Sequence, residues 1–240
     1  MTHPIIAANN VSKTLGNGAT QVQALKHVDL SLNGGGLTML MGPSGSGKTT
    51  LLSVLGGMLT PSEGTVLIGG ASTEGASPDR LAEIRRSHIG FVFQTFHLFP
   101  TLTAAENVQL ALDIRGERGA AARFKARQAL TRVDLVHRAA AFPRELSGGE
   151  QQRVAIARAI VAEPAAILAD EPTAALDSVN GQAIMTILSA IAQEPDRAVL
   201  VVTHDARLAA LADRLLRIED GRLLPETAPA SNVYRIRGSA

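Results

Sequence analysis

The chain has 240 residues, with 23 Lys plus Arg against 22 Asp plus Glu, and it contains no cysteine. The near balance of charge argues against a strongly basic nucleic-acid face, so no nucleic acid is expected as a partner. The missing cysteine excludes disulfides, thiol nucleophiles and zinc–thiolate sites. The length suffices for one large domain, or a domain with a lobe, that buries about three-quarters of its unfolded surface. Met1-Thr2-His3-Pro4 lacks the basic and apolar regions of a signal peptide. No apolar run approaches the roughly 18 residues of a membrane span, so any service to a membrane is expected to run through another chain. With no Trp and Tyr234 as the one Tyr, the core must be built of Leu, Ile, Val and Ala.

The first 35 residues read as short extended segments, with Asn17-Gly18 as hairpin chemistry because both residues tolerate positive φ. Leu37 to Met41 is a short apolar run that reads as a buried strand and feeds a glycine-rich loop. A helix is predicted from Lys48 through Leu51, Leu52, Val54 and Leu55, stopped by Gly56-Gly57. Thr65 to Ile68 reads as a strand, residues 69–78 as a polar Gly/Ser/Pro stretch, and Arg80, Arg85 and Arg86 as a solvated helix face. From about Thr95 to Glu163 the pattern turns helical. Ala104–Ile114 and Ala120–Val136 are amphipathic, and Glu150–Ala162 is closed by Pro164. Strand signals return at Ala166–Ala169 and Ala198–Val202, separated by a helix over Ser178–Gln193 with Ser178 as its N-cap. Asp220-Gly221 marks a tight turn, and 225–240 reads as a frayed, flexible tail. The order is that of an α/β core interrupted by a helical insert.

Gly42-Pro43-Ser44-Gly45-Ser46-Gly47-Lys48-Thr49, followed by Thr50, fits G-x-x-x-x-G-K-[ST]. Glycines let backbone amides turn inward on phosphates, Lys48 reaches the β and γ oxygens, and the Thr49 hydroxyl suits Mg²⁺. Ile167-Leu168-Ala169 is an apolar strand ending in Asp170 and Glu171. Asp170 suits the hold on Mg²⁺, and alternation points Glu171 elsewhere, toward polarising the attacking water. Gln94, which with Phe93 follows the short strand Ile89–Val92, and His204, after Val199–Thr203, carry little weight in isolation. Leu146-Ser147-Gly148-Gly149-Glu150-Gln151-Gln152 opens a helix and forms a second place where backbone N–H groups face an anion. One nucleotide does not obviously need two.

Taken in order, these motifs make the chain resemble the ATPase subunit of an ATP-binding cassette (ABC) transporter. GPSGSGKTT matches Walker A, Gln94 the Q-loop, LSGGEQQ the signature, ILADEP Walker B, Ala174-Ala175-Leu176-Asp177 the D-loop and His204 the switch. The match covers residues 5 to 224, and LSGGEQQ is its specific element. The resemblance implies a P-loop NTPase fold: a RecA-like α/β core with an N-terminal antiparallel β subdomain (about 1–94 and 164–224) and a helical subdomain (about 95–163). It also implies ATP and Mg²⁺ as ligands, with Thr49, Gln94 and Asp170 around the metal. Two cassettes would pack head to tail, so that Ser147, Gly148 and Gly149 of one reach the γ-phosphate held by the other. Glu171 would be the general base, His204 would keep base and γ-phosphate in register, and Asp177 would reach across the interface.

Leu55-Gly56-Gly57-Met58-Leu59, the Phe93–Phe99 segment and Ala169–Thr173 are similar to the lipoprotein-release, macrolide-export and heterocyst-glycolipid-export ATPases. That similarity implies an integral-membrane permease as partner, a periplasmic adaptor reached through it, and a place on the cytoplasmic face of the bacterial inner membrane. Export or extraction of a substrate is the leading reading. Regulation of a permease-like partner in cell-wall hydrolysis stays open, and neither cargo nor homo- against hetero-pairing can be read. Leu15 stands where the family usually stacks an aromatic on adenine, which predicts weaker adenine discrimination, and Ala174 stands where a serine is common. Phe91 and Phe93 are expected in the core, and Phe96 and Phe99 in a groove for a permease helix.

Overall fold

The apolar runs at 37–41, 166–169 and 198–202 are buried on both faces, as parallel strands between two covering layers must be. The computed structural model describes residues 3–225; the tail expected beyond Pro225 lies outside them. In chain order the strands are β1 (Ile6–Leu15), β2 (Val22–Leu32), β3 (Gly36–Met41), β4 (Glu63–Ile68), β5 (Ala71–Ser72), β6 (Ile89–Val92), β7 (Ala166–Asp170), β8 (Ala198–Thr203), β9 (Arg214–Glu219) and β10 (Arg222–Leu223). The α-helices are α1 (Lys48–Leu55), α2 (Pro78–His88), α3 (Ala104–Asp113), α4 (Gly119–Arg132), α5 (Gly148–Ile160) and α6 (Ser178–Ala192).

Two sheets result. One has four strands in the order β2-β1-β4-β5, all antiparallel. The other has six in the order β10-β9-β3-β8-β7-β6, parallel except for the short β10 at its edge. Alternation divides the inner strands between two cores. Leu37, Met39, Ile167, Ala169, Val199 and Val201 face α3, α4, α5 and α6. Leu40, Leu168, Leu200 and Val202 face α1 and the antiparallel sheet. The parallel strands all end on the same side, so the residues after β3, β6, β7 and β8 gather at one edge, where open α/β sheets bind ligands.

Several local expectations need revision. The β1–β2 hairpin forms with Leu15 opposite Val22, but Gly16 and Gly18 supply the positive φ while Asn17 stays extended at −132°. Helix α2 begins at Pro78, the last residue of the stretch read as polar, where Ser77 caps it. Arg85 on this helix is not solvated: its Nη1 donates to the Gly57 carbonyl at 2.6 Å, holding α2 against the end of α1. Helix α4 stops at Arg132 rather than Val136, where Asp134 turns left-handed at φ +53°. The N-cap of α6 is Asp177, not Ser178; its Oδ1 accepts from the Val179 and Asn180 amides and its Oδ2 from Asn180 Nδ2. Both oxygens are thereby engaged at the start of their own helix.

Buried Asn107 organises the entry to the helical layer. Its Oδ1 accepts from Phe99 N at 2.7 Å, and its Nδ2 donates to the carbonyls of Phe99, Leu102 and Thr103. Asn107→Ala should strand these backbone groups and destabilise the fold by about 3 kcal/mol. Thermal denaturation should show a Tm lowered by roughly 6–12 °C.

Candidate active site

Walker A is a loop that only glycines could close. A Cβ on Gly42 would lie 2.2 Å from the Ile218 carbonyl oxygen, and Gly47 sits at φ +103° with its Cβ position 2.5 Å from the Ala24 carbonyl. The loop is thus clamped between β9 and β2, and the N-terminus of α1 opens directly from it. Lys48 folds back across the loop, its Nζ donating to the Gly42 and Pro43 carbonyls at 2.8 and 2.7 Å. Beside it runs a cleft of about 540 Å³ lined by Ser44, Gly45, Gly47, Lys48, Thr49, Thr50 and, from other elements, Leu15, Val22 and Glu171. Leu15 is 38% exposed and Val22 63%, so the hairpin presents a small aliphatic surface at the mouth of the phosphate cradle.

The carboxylates arrive from β7. Asp170 is its last residue, and its Oδ1 accepts from the Thr49 hydroxyl at 3.2 Å. Burial raises the Asp170 pKa, opposed by the Thr49 hydrogen bond and reinforced by the neighbouring Glu171 charge. Two hard oxygens meeting at the mouth of a phosphate loop fit Mg²⁺, which takes few protein ligands and completes its shell with phosphate and water. Glu171 leaves the strand at φ +47°, in the left-handed region, while its amide still donates to Val202 O at 2.9 Å. That break turns its side chain away from Asp170 and onto His204, whose Nδ1 lies 2.7 Å from Glu171 Oε1. With the carboxylate accepting, Nδ1 carries the proton and Nε2 is left for another partner. The next residue is pinned as well: the Arg207 guanidinium holds the Asp205 carboxyl down at about 2.

Ser147 caps α5 in a full capping box. Its Oγ accepts from Glu150 N at 3.3 Å, and Glu150 Oε2 accepts from Ser147 N at 2.8 Å. The Gly148 and Gly149 amides, in the first turn, have no such partner among the described residues. Gly149 packs on Asn180 so closely that a Cβ would come within 2.7 Å of its Oδ1. None of Ser147, Gly148 or Gly149 lines the cleft at Walker A of the same chain. Gln94 does not join the cleft either; it is exposed, two residues beyond the end of β6.

Two positioning residues escaped the sequence reading. Gln152 is fully buried and its Nε2 donates to Pro172 O at 2.8 Å and Phe93 O at 3.4 Å, tying the signature helix to both Walker B and the Q-loop. Arg158 donates to the carbonyls of Phe96 and His97 at 2.8 and 2.5 Å, two consecutive residues at φ +56° and +49°. Both lie on α5, and only the tertiary fold shows what they meet. The aromatics also divide differently. Phe91 and Phe93 stack at 5.6 Å and line a groove of about 430 Å³ together with Phe99, which is 51% exposed. Phe96 turns instead toward Gly148.

The arrangement is a phosphate loop facing a strand-end carboxylate and a histidine, with a capped helix N-terminus outside their cleft. The family profile described as "ABC transporter" matches residues 25–174. The lipoprotein-releasing system ATP-binding protein LolD of Shewanella denitrificans is 43% identical over 219 residues, covering 91% of this chain and 94% of that protein. The macrolide export ATP-binding/permease protein MacB of Salmonella choleraesuis is 41% identical over 229 residues, of which this chain spans 35% of the length. A dimeric post-hydrolysis structure of the cassette MJ0796, bound to ADP and Pi, is 44% identical with a TM-score of 0.83, over 92% of this chain and 97% of that one. A phosphate loop, a strand-end carboxylate in contact with a histidine and a capped helix start outside their cleft therefore belong here to a member of the ABC transporter family, an ATP-hydrolysing cassette of the lipoprotein-release and macrolide-export group.

Proposed function

We propose that two copies of this chain close head to tail on two ATP molecules and drive a separate membrane permease that exports or extracts a substrate. The observation that carries this reading is the position of Ser147, Gly148 and Gly149. They form a capped helix start with two unshared amides, yet lie outside the Walker A cleft of their own chain. A second copy would bring that helix start onto the γ-phosphate. Among the described residues no helix is long and apolar enough to cross a membrane. The cassette would then sit on the cytoplasmic face of the inner membrane, bound through its permease, with a periplasmic adaptor reached through that permease.

In this reading Lys48 exchanges its two carbonyl acceptors for β and γ oxygens, and Gly42 to Thr50 wrap the phosphates. Thr49 and Asp170 would hold Mg²⁺, with Gln94 arriving as residues 95–163 move against the core. When bound, the ion neutralises charge on the phosphate oxygens. Glu171 takes the proton of the attacking water, and His204, fixed by Glu171 through Nδ1, meets the γ-phosphate with Nε2. In this reading Leu15 lies under the base and offers apolar contact without a π face, whereas stacking on an aromatic is worth roughly 1–3 kcal/mol. ATP and GTP should therefore be turned over at similar kcat/KM, with Leu15→Tyr favouring ATP; a strong ATP preference in the unaltered chain would overturn this.

Light scattering tests the shared site. Glu171→Gln should double in mass at saturating ATP, and adding Ser147→Arg should return it to a monomer. A Glu171→Gln variant that stays monomeric would overturn the proposal.

A further inference from the structure

Helices α3 and α5 each begin with a full capping box and an acid in the first turn, whereas α4, between them in the chain, has neither. Its N-cap is Arg118, with no side-chain cap hydrogen bond, and a cation at a helix N-terminus opposes the macrodipole. From Gly119 to Arg132 the helix carries Arg123, Lys125, Arg127 and Arg132 and no Asp or Glu. It packs inward through Ala122, Ala126, Ala129 and Leu130, all buried. At 3.6 residues per turn Phe124 stands at the middle of the opposite face. Arg123 and Arg127 lie on one flank of it, Lys125 and Arg132 on the other. Phe124 is 63% exposed and adds little to the core. Lys125 and Arg132 pair with Glu117 and Glu194, both outside the helix, while Arg118, Arg123 and Arg127 form no ion pair among the described residues. The excess is local, since the whole chain carries a net charge of only +1.

We infer that this face of α4 rests on an anionic lipid surface, with its arginines on headgroup phosphates and the Phe124 ring among them. The inference rests on the permease reading above, which sets the chain beside a membrane, and adds a contact made directly with lipid. A cytoplasmic leaflet is negative, and cations clustered within a Debye length of it are attracted. A guanidinium takes phosphate oxygens through a planar fork, and its stem can lie along apolar surface while the charge stays wet. Away from such a surface, Phe124 holds a phenyl in water and Arg118 faces the helix dipole with no compensating bond. Both costs are offset where phosphates accept from the arginines and the ring enters the headgroup layer. A protein partner would need a broad complementary patch, about 800 Å² a side. One phenyl among long cationic side chains suits a fluid surface instead.

The chain has no tryptophan, so Phe124→Trp puts a single reporter on this face. With vesicles of phosphatidylglycerol and phosphatidylcholine at low salt, its emission should shift to the blue, and brominated acyl chains should quench it. Vesicles of phosphatidylcholine alone should leave it unchanged. Co-sedimentation of the unaltered chain should show affinity for the anionic vesicles that falls as salt rises. Arg123→Glu combined with Arg127→Glu should weaken it at least about tenfold, since each cation near such a surface contributes about fivefold. Phe124→Ala should weaken it less, and Arg80→Glu, on α2 and paired with Glu83, should not change it. Nucleotide affinity should be the same in every variant, which checks the fold. Three results would each overturn the inference: no binding to the anionic vesicles, binding lost with Arg235→Ala and Arg237→Ala in the tail instead, or an equal blue shift on polyglutamate. Vesicle binding needs neither ATP nor a second copy. A Glu171→Gln variant that stays monomeric yet binds vesicles would overturn the shared site alone.

Discussion

Glu171→Gln is expected to lower kcat for ATP hydrolysis by about 10²–10⁴-fold, the range that a positioned general base contributes. Nucleotide affinity should hold, because the amide is isosteric and the phosphate contacts come from the Walker A loop and Lys48. The geometry makes the loss specific to the proton transfer. Glu171 Oε1 already lies 2.7 Å from His204 Nδ1, so base and histidine are aimed before a partner arrives. An amide at that position can still contact the ring but cannot take a proton from water. His204→Ala should cost less than Glu171→Gln, because it leaves the base in place and removes its aim. Single-turnover measurements separate these outcomes: a Gln variant whose chemical step is unchanged would remove Glu171 from the role of base.

Lys48→Ala is the second large effect, expected on binding. The ammonium is buried and donates to two backbone carbonyls, Gly42 and Pro43. Hydrogen bonds to charged groups are worth about 1.5–3 kcal/mol each, so losing the contact to the phosphates should weaken ATP affinity by roughly 10–150-fold. The substitution also strands the two carbonyls, which adds a stability term that a fluorescent-nucleotide titration alone would miss. Titration calorimetry paired with thermal denaturation reads both. Unchanged ATP affinity with a lowered Tm would make Lys48 a strut of the loop rather than a phosphate ligand.

The motifs were legible because backbone geometry demands them. Gly42 and Gly47 stand where any Cβ meets a carbonyl, and the two acids close an apolar strand, Asp170 as its last residue and Glu171 just beyond it. The helical insert was legible from its apolar period, and α5 starts two residues earlier than expected because Ser147 caps it, accepting from the Glu150 amide. Other features depended on partners distant in sequence. Arg85 looks like any solvated helix cation until the Gly57 carbonyl is placed beside it, 28 residues away. Gln152 is one more polar residue in a run of three until its amide is seen to reach Phe93 and Pro172. Phe96 leaves the groove expected of it because two left-handed residues, Phe96 and His97, reverse the chain in a way composition does not announce, whereas Phe91 packs on the core as expected and also lines the groove.

The capping box at Ser147 has a kinetic meaning. The Ser147 hydroxyl is engaged by Glu150 N and the Glu150 carboxylate by Ser147 N, so each side chain is tied to the other's backbone within one chain. If two copies meet through this helix start, as proposed, a cap already formed leaves little side-chain ordering entropy to be lost. Assembly should then behave as a collision between finished surfaces, second order in protein and without a slow unimolecular phase. The cassette would keep time by how often its copies are brought together, and whatever holds two of them side by side would set the clock.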